Sequence, residues 1–151
     1  MPTSSTPELL DTRSFSLIDY RHSHAHAVLR GFPPFDDITV ERGEGVVLDL
    51  RFVGLQRISC WKDIGTLHLR IADAGERSSL ERRIGTFRRH QAYLLEPDSI
   101  ESYVIAGAVH WAEFLLPTPF THPSPLDPSN RAEVELYRPI GGVVHSSASA
   151  Q

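Results

Sequence analysis

Apolar residues recur at every second position along much of this chain, and that period restricts the fold more than any other feature. Val46, Leu48, Leu50 and Phe52 alternate with Val47, Asp49, Arg51 and Val53. Leu67, Leu69 and Ile71 alternate with Thr66, His68 and Arg70, and Val109 and Trp111 with His110 and Ala112. Successive side chains of a strand point to opposite faces, so each run lays an apolar face on a core and a polar or small face away from it. Strands are expected at 14–20, 24–30, 37–42, 45–53, 55–60, 66–72, 87–95, 100–106 and 108–116, with a weaker one at 132–138. Eleven prolines and ten glycines among 151 residues favour short strands over long helices. Gly43-Glu44-Gly45 and Pro97-Asp98-Ser99 supply turn chemistry.

One segment departs from period two. Asp73 is followed three residues later by Glu76, Leu80 and Ile84 fall at i and i+4, and Gly85 can stop the run. That is a capping box, an apolar stripe and a C-terminal stop, predicting a short helix over 74–84 that docks on the sheet. The fold class expected is mainly β: an antiparallel β-sandwich or barrel of about eight to ten short strands with one short helix.

The ends read differently. Residues 1–12 form an expected flexible leader, 13–145 a single β-rich domain, and 146–151 a small, polar, disordered tail. Within the domain, residues 117–130 contain Pro117, Pro119, Pro123, Pro125 and Pro128 and cannot form a central strand. The residues that follow are too few to fold alone, so they either dock or dangle.

Charge and composition narrow the function. A net charge of −4 opposes general nucleic-acid binding, which relies on cations neutralising phosphates. Of 15 basic residues only Lys62 is a lysine, a bias that suggests a GC-rich, bacterial genome. The one cysteine, Cys60, leaves no partner for an internal disulfide and no Cys-based zinc cage. No secretory signal is visible in Met1–Pro7 and no apolar run is long enough to cross a membrane, so the expected location is cytoplasmic.

The most unusual local feature is Tyr20-Arg21-His22-Ser23-His24-Ala25-His26. On an extended strand the three imidazoles share a face, with neighbours about 6.6–6.8 Å apart and the outer two about 13 Å apart. One adjacent pair could hold a divalent transition metal with a third ligand from another strand: His68, His110 or an acidic residue. The same row also reads as a polar, solvent-facing strand or as neutral acid–base groups. Ala27, Val28, Leu29 and Arg30 follow, so no acidic ligand comes shortly after the pair.

A second cluster is Arg77, Arg82, Arg83, Arg88, Arg89 and His90, suited to an anionic ligand or acidic protein surface, or simply to solvent. Cys60 could meet His68 across a hairpin through Lys62–Gly65, although free cysteine is more often buried and inert. Phosphate loops, dinucleotide fingerprints, nucleophile elbows and the His-Glu-x-x-His motif are absent from the sequence. Trp61, Tyr103, Trp111 and Phe114 are expected in the core, with interface contact as the other reading.

The leading expectation is a non-catalytic binding or interaction protein of the bacterial accessory or immunity type, with no cofactor. Its expected partner is another protein or a small ligand. The competing expectation is a metal-binding or metal-dependent β-barrel enzyme centred on His22, His24 and His26.

Overall fold

The structure, a computed structural model, describes residues 8–34 and 43–147. The strand expected at 37–42 therefore lies outside the described residues. Among the described residues eleven strands form two antiparallel sheets. The six-stranded sheet contains β2 (Ser14–Arg21), β3 (His26–Phe32), β4 (Gly45–Val53), β6 (Asp63–Ile64), β10 (Ala108–Leu116) and β11 (His145–Ser146), in the order β11-β10-β4-β3-β2-β6. The five-stranded sheet contains β1 (Leu9–Asp11), β5 (Arg57–Ser59), β7 (Leu67–Ile71), β8 (Gln91–Glu96) and β9 (Ser99–Ala106), in the order β1-β7-β8-β9-β5. Among the described residues each sheet keeps two open edges. The fold is a sandwich and not a closed barrel.

The period-two alternation decides which side chains enter the space between the sheets. Phe15, Leu29, Leu48, Leu50 and Phe52 from one sheet meet Leu67, Leu69, Tyr93, Leu95 and Val104 from the other. Phe52 and Tyr93 pack with ring centroids 5.8 Å apart. Gly31 is required where β3 passes β2: a Cβ there would sit 2.5 Å from the Phe15 ring.

Helix α1 (Ala74–Ile84) forms where the capping box predicts it, with Glu76 N–H donating to Asp73 Oδ1 at 2.8 Å and Asp73 N–H to Glu76 Oε1 at 3.1 Å. It covers the outer face of the five-stranded sheet, where buried Leu80 and Phe87 pack with Ala92, Leu94, Tyr103 and Ile105. Arg70 on β7 clamps Glu76 through two bonds of 2.7 and 2.8 Å, which holds the Glu76 carboxyl down at about 2.

The outer face of the six-stranded sheet is covered too, which the alternation of β4 does not reveal. Its polar positions face a docked stretch of chain instead of water. Arg30 and Asp49 are opposite each other on β3 and β4, 1% and 0% exposed, in a bidentate pair of 2.7 and 2.8 Å. Arg30 Nη1 also donates to the carbonyls of Pro119 and His122 at 3.0 and 2.6 Å, while Ser124 Oγ donates to Asp49 Oδ2 at 2.7 Å. Prolines lack an N–H, so this stretch offers mostly acceptors, and a buried guanidinium satisfies them. Leu126 and Tyr137 then pack against Val47, Ala112, Phe114 and Leu116. The Pro-rich segment and its sequel dock.

Several expectations are corrected. Residues 9–11 of the expected leader are strand β1, antiparallel to β7, because Leu9 reaches the core and the edge of β7 takes a partner. Ser146 of the expected tail pairs with His110, and Ser147 Oγ bonds the buried Tyr93 hydroxyl at 2.8 Å. The weak strand at 132–138 is instead helix α2 (Arg131–Leu136), since Ala, Glu, Arg and Leu favour that state. The hairpin through Lys62–Gly65 does not form: β5 pairs with β9, β6 crosses to β2 in the other sheet, and β7 pairs with β1 and β8.

Two outcomes check this architecture by urea unfolding. Leu80→Ala should cost about 2–5 kcal/mol as a cavity under α1. Asp49→Ala should cost about 3–5 kcal/mol, because Arg30 would remain buried without its counter-ion; it should also open 117–130 to limited proteolysis, and a proteolytic pattern like wild type would mean that the pair does not hold the cover.

Candidate functional site

The histidine row is not a strand face. His22–His24 form a 3-10 turn and Ala25 closes it in the left-handed region at φ 45°, so β2 and β3 reverse direction where the three imidazoles were expected to share one extended face. Phe15 and Leu29 both reach the core only if the chain folds back here. Signals for the turn were weak in sequence, since no Gly or Asn marks it. His22 and His24 are exposed; His26 starts β3 and is 1% exposed. His68 bonds Glu8 at 2.6 Å, and His110 lies on β10 opposite Arg51. The proposed ligands do not converge.

What surrounds His26 is a charge network that sequence reasoning missed. Its Nε2 lies 3.1 Å from Asp19 Oδ2 and 3.9 Å from Asp127 Oδ2. Arg51 Nε donates to its Nδ1 at 2.8 Å. Arg21 pairs with Asp127 at 2.8 Å and with Asp19 at 3.2 Å, and donates to Ser129 Oγ at 2.7 Å. Asp19 reaches this face through the irregularity in β2 between Leu17 and Asp19, and Asp127 arrives on the docked cover. Neither placement has a local sequence signal.

Burial lowers the His26 pKa; the Asp19 hydrogen bond opposes that, and the Arg51 cation lowers it further. Burial alone would raise the Asp127 carboxyl, but bonds from the Ser129 N–H and hydroxyl, with Arg21 and His26 nearby, bring it below the usual value. The Arg51 bond also settles the tautomer: Nδ1 accepts, so the proton sits on Nε2 and points at Asp19.

Asp19, His26 and Asp127 are the one group of three such ligands among the described residues whose donor atoms lie within 4.8 Å of one another. The donor chemistry fits a metal poorly. A metal on Nε2 needs the proton on Nδ1, which would set N–H against the Arg51 N–H. Arg21 already pairs with both carboxylates. Nor can so buried an imidazole reach a substrate as acid or base. The cluster joins sheet to cover.

The second candidate cluster fares differently. Arg82, Arg83, Arg88 and Arg89 are all exposed, and Arg83 lines a hollow of about 370 Å³ with Ser59, Cys60, Trp61, Glu101 and Ser102. Residues separated by more than twenty positions meet there because β5 runs along the edge beyond α1. Trp61, expected in the core, is 70% exposed; Tyr103 and Phe114 are buried, and Trp111 packs partly against the core. Cys60 has no contact with His68, and burial pushes its thiol pKa up, away from a reactive thiolate.

No family model matches the chain, and neither a curated protein nor a solved structure is significantly similar to it. Among the described residues no helix is long and apolar enough to cross a membrane.

The buried histidines generate a pH prediction. His26, His110 and His122 are all lowered, first by burial, so the unfolded chain takes up protons near its ordinary value of about 6.5 that the folded chain refuses. Stability should be full above about pH 6.5 and fall as pH drops below it towards the folded values. Unfolding free energies measured from pH 7.5 to 5.5 should show this slope, and His26→Gln should flatten it; an unchanged slope would remove His26 from that role.

Proposed function

We propose that this is a non-catalytic binding protein whose contact surface is built around Trp61. The observation that carries this reading is the placement of that indole, mostly in water, on the rim of a hollow that also holds a cation and two hydroxyl groups. Tryptophan and arginine dominate the energetics of protein interfaces, because a large rigid ring and a planar cation each gain much when water is excluded. Exposing Trp61 has no value for the core, which closes without it.

The titratable groups favour the same reading. Those in the His26 cluster are spent on one another and on joining the cover to the sheet. Covering a partner's surface is a mode suited to small bacterial accessory or immunity proteins acting in the cytoplasm, and the arginine-rich, lysine-poor composition is in keeping with such a source.

Two measurements test the reading. Trp61→Ala should change unfolding stability by no more than about 0.5 kcal/mol, as for a surface residue; a loss of about 3–5 kcal/mol would make Trp61 a core residue and remove the contact surface. Protein purified without a tag should carry no stoichiometric transition metal and give no heat with Zn²⁺, Ni²⁺ or Mn²⁺. A tight site lost in His26→Ala would replace the binding reading by a metal-dependent one.

A further inference from the structure

We infer that the partner presents an acidic, extended segment, which adds as a strand to the open edge of β5 and reaches over β5 with alternate side chains into the groove between β5 and the C-terminal end of α1. This rests on the binding reading above and names the chemistry of what is bound.

The edge itself comes first. Among the described residues β5 ends the five-stranded sheet, and Arg57–Ser59 pair with β9 on one side only. An unpaired strand edge offers peptide N–H and C=O groups at the spacing another strand needs. Beside it are two hollows. One, of about 370 Å³, holds Trp61 and Arg83; the other, of about 170 Å³, lies between Arg57 and the Ile84–Phe87 segment that follows α1. Both have the β5 stretch as one wall and the end of α1 as the other. Side chains of an added strand alternate, so every second one would point towards these hollows.

Charge then selects the partner. Arg13, Arg21, Arg30, Arg70 and Arg77 each pair with a carboxylate. Arg57, Lys62, Arg83, Arg88 and Arg89 are exposed and make no ion pair among the described residues. Arg82, Arg131 and Arg138 are exposed without an ion pair as well, but of all these cations it is Arg57 and Arg83 that line the two hollows, where Glu101 is the single acid. A basic edge repels a second copy of itself and admits an acidic strand. Nucleic acid would also meet the arginines, but it cannot pair with a peptide edge, and its dense charge is repelled by the rest of the molecule.

The test is selection of short random peptides displayed on phage against the full chain, with counter-selection against the Trp61→Ala/Arg57→Glu/Arg83→Glu variant, whose fold is checked by circular dichroism. Selected peptides should be rich in Asp and Glu alternating with apolar residues. As synthetic peptides they should bind at least about tenfold more weakly to Trp61→Ala and to Arg83→Glu. N-methylation of alternate backbone nitrogens should weaken them by as much, because it removes strand pairing and leaves charge intact. Peptides that are neutral or basic yet depend on Trp61 would overturn the acidic partner and leave the binding reading standing. Equal affinity after N-methylation in both registers would overturn strand addition. Tighter binding of oligothymidylate than of any peptide would make the groove a nucleic-acid site instead. Recovery of no peptide dependent on Trp61 would overturn both the inference and the reading beneath it.

Discussion

The Arg30–Asp49 pair is the interaction on which the outer half of this structure depends. Two opposite charges almost wholly removed from water are costly unless their hydrogen-bonding capacity is filled. Here it is filled from two directions: each partner serves the other across β3 and β4, and the cover serves the rest through Pro119, His122 and Ser124. The pair cannot be buried without the cover, and the cover has no regular structure of its own at 117–130. Each makes the other tenable.

This mutual dependence explains why the conspicuous polar residues of the sequence do so little that is accessible. Asp19, Arg21, His26, Arg51 and Asp127 form a second polar tie between the same sheet and the same cover. Once Arg51 donates to one imidazole nitrogen and Asp19 accepts from the other, His26 has no lone pair left for a metal and no path to a substrate. The cluster ties the sheet to the cover, and burial of its imidazole makes stability depend on pH.

A different kind of surface lies on the five-stranded sheet. Its outer face is mostly closed by α1, but the helix ends short of β5. That leaves an edge, two hollows, an exposed indole, Arg57 and Arg83 in one place. Packing elsewhere is complete enough that none of these is needed to hold the fold together.

The elements of this fold were legible in the sequence where their causes are local. Period-two alternation marked β4, β7 and β10, and the spacing of Asp73, Glu76, Leu80 and Ile84 marked α1, because side chains two to four residues apart report on their own backbone. Tertiary structure alone decided the rest. Arg30 and Asp49 are 19 residues apart, Ser124 and Asp49 75, and Arg30 and Pro119 89, so nothing near any of them announces that the polar face of β4 is buried. For the same reason the histidine row became a turn when β2 and β3 had to pair, Trp61 was left outside when β5 joined β9 rather than β7, and Arg83 came to its side. What the sequence by itself determined was the long central strands and helix α1; which faces were covered, and so which residues were left exposed, depended on contacts between segments far apart in the chain.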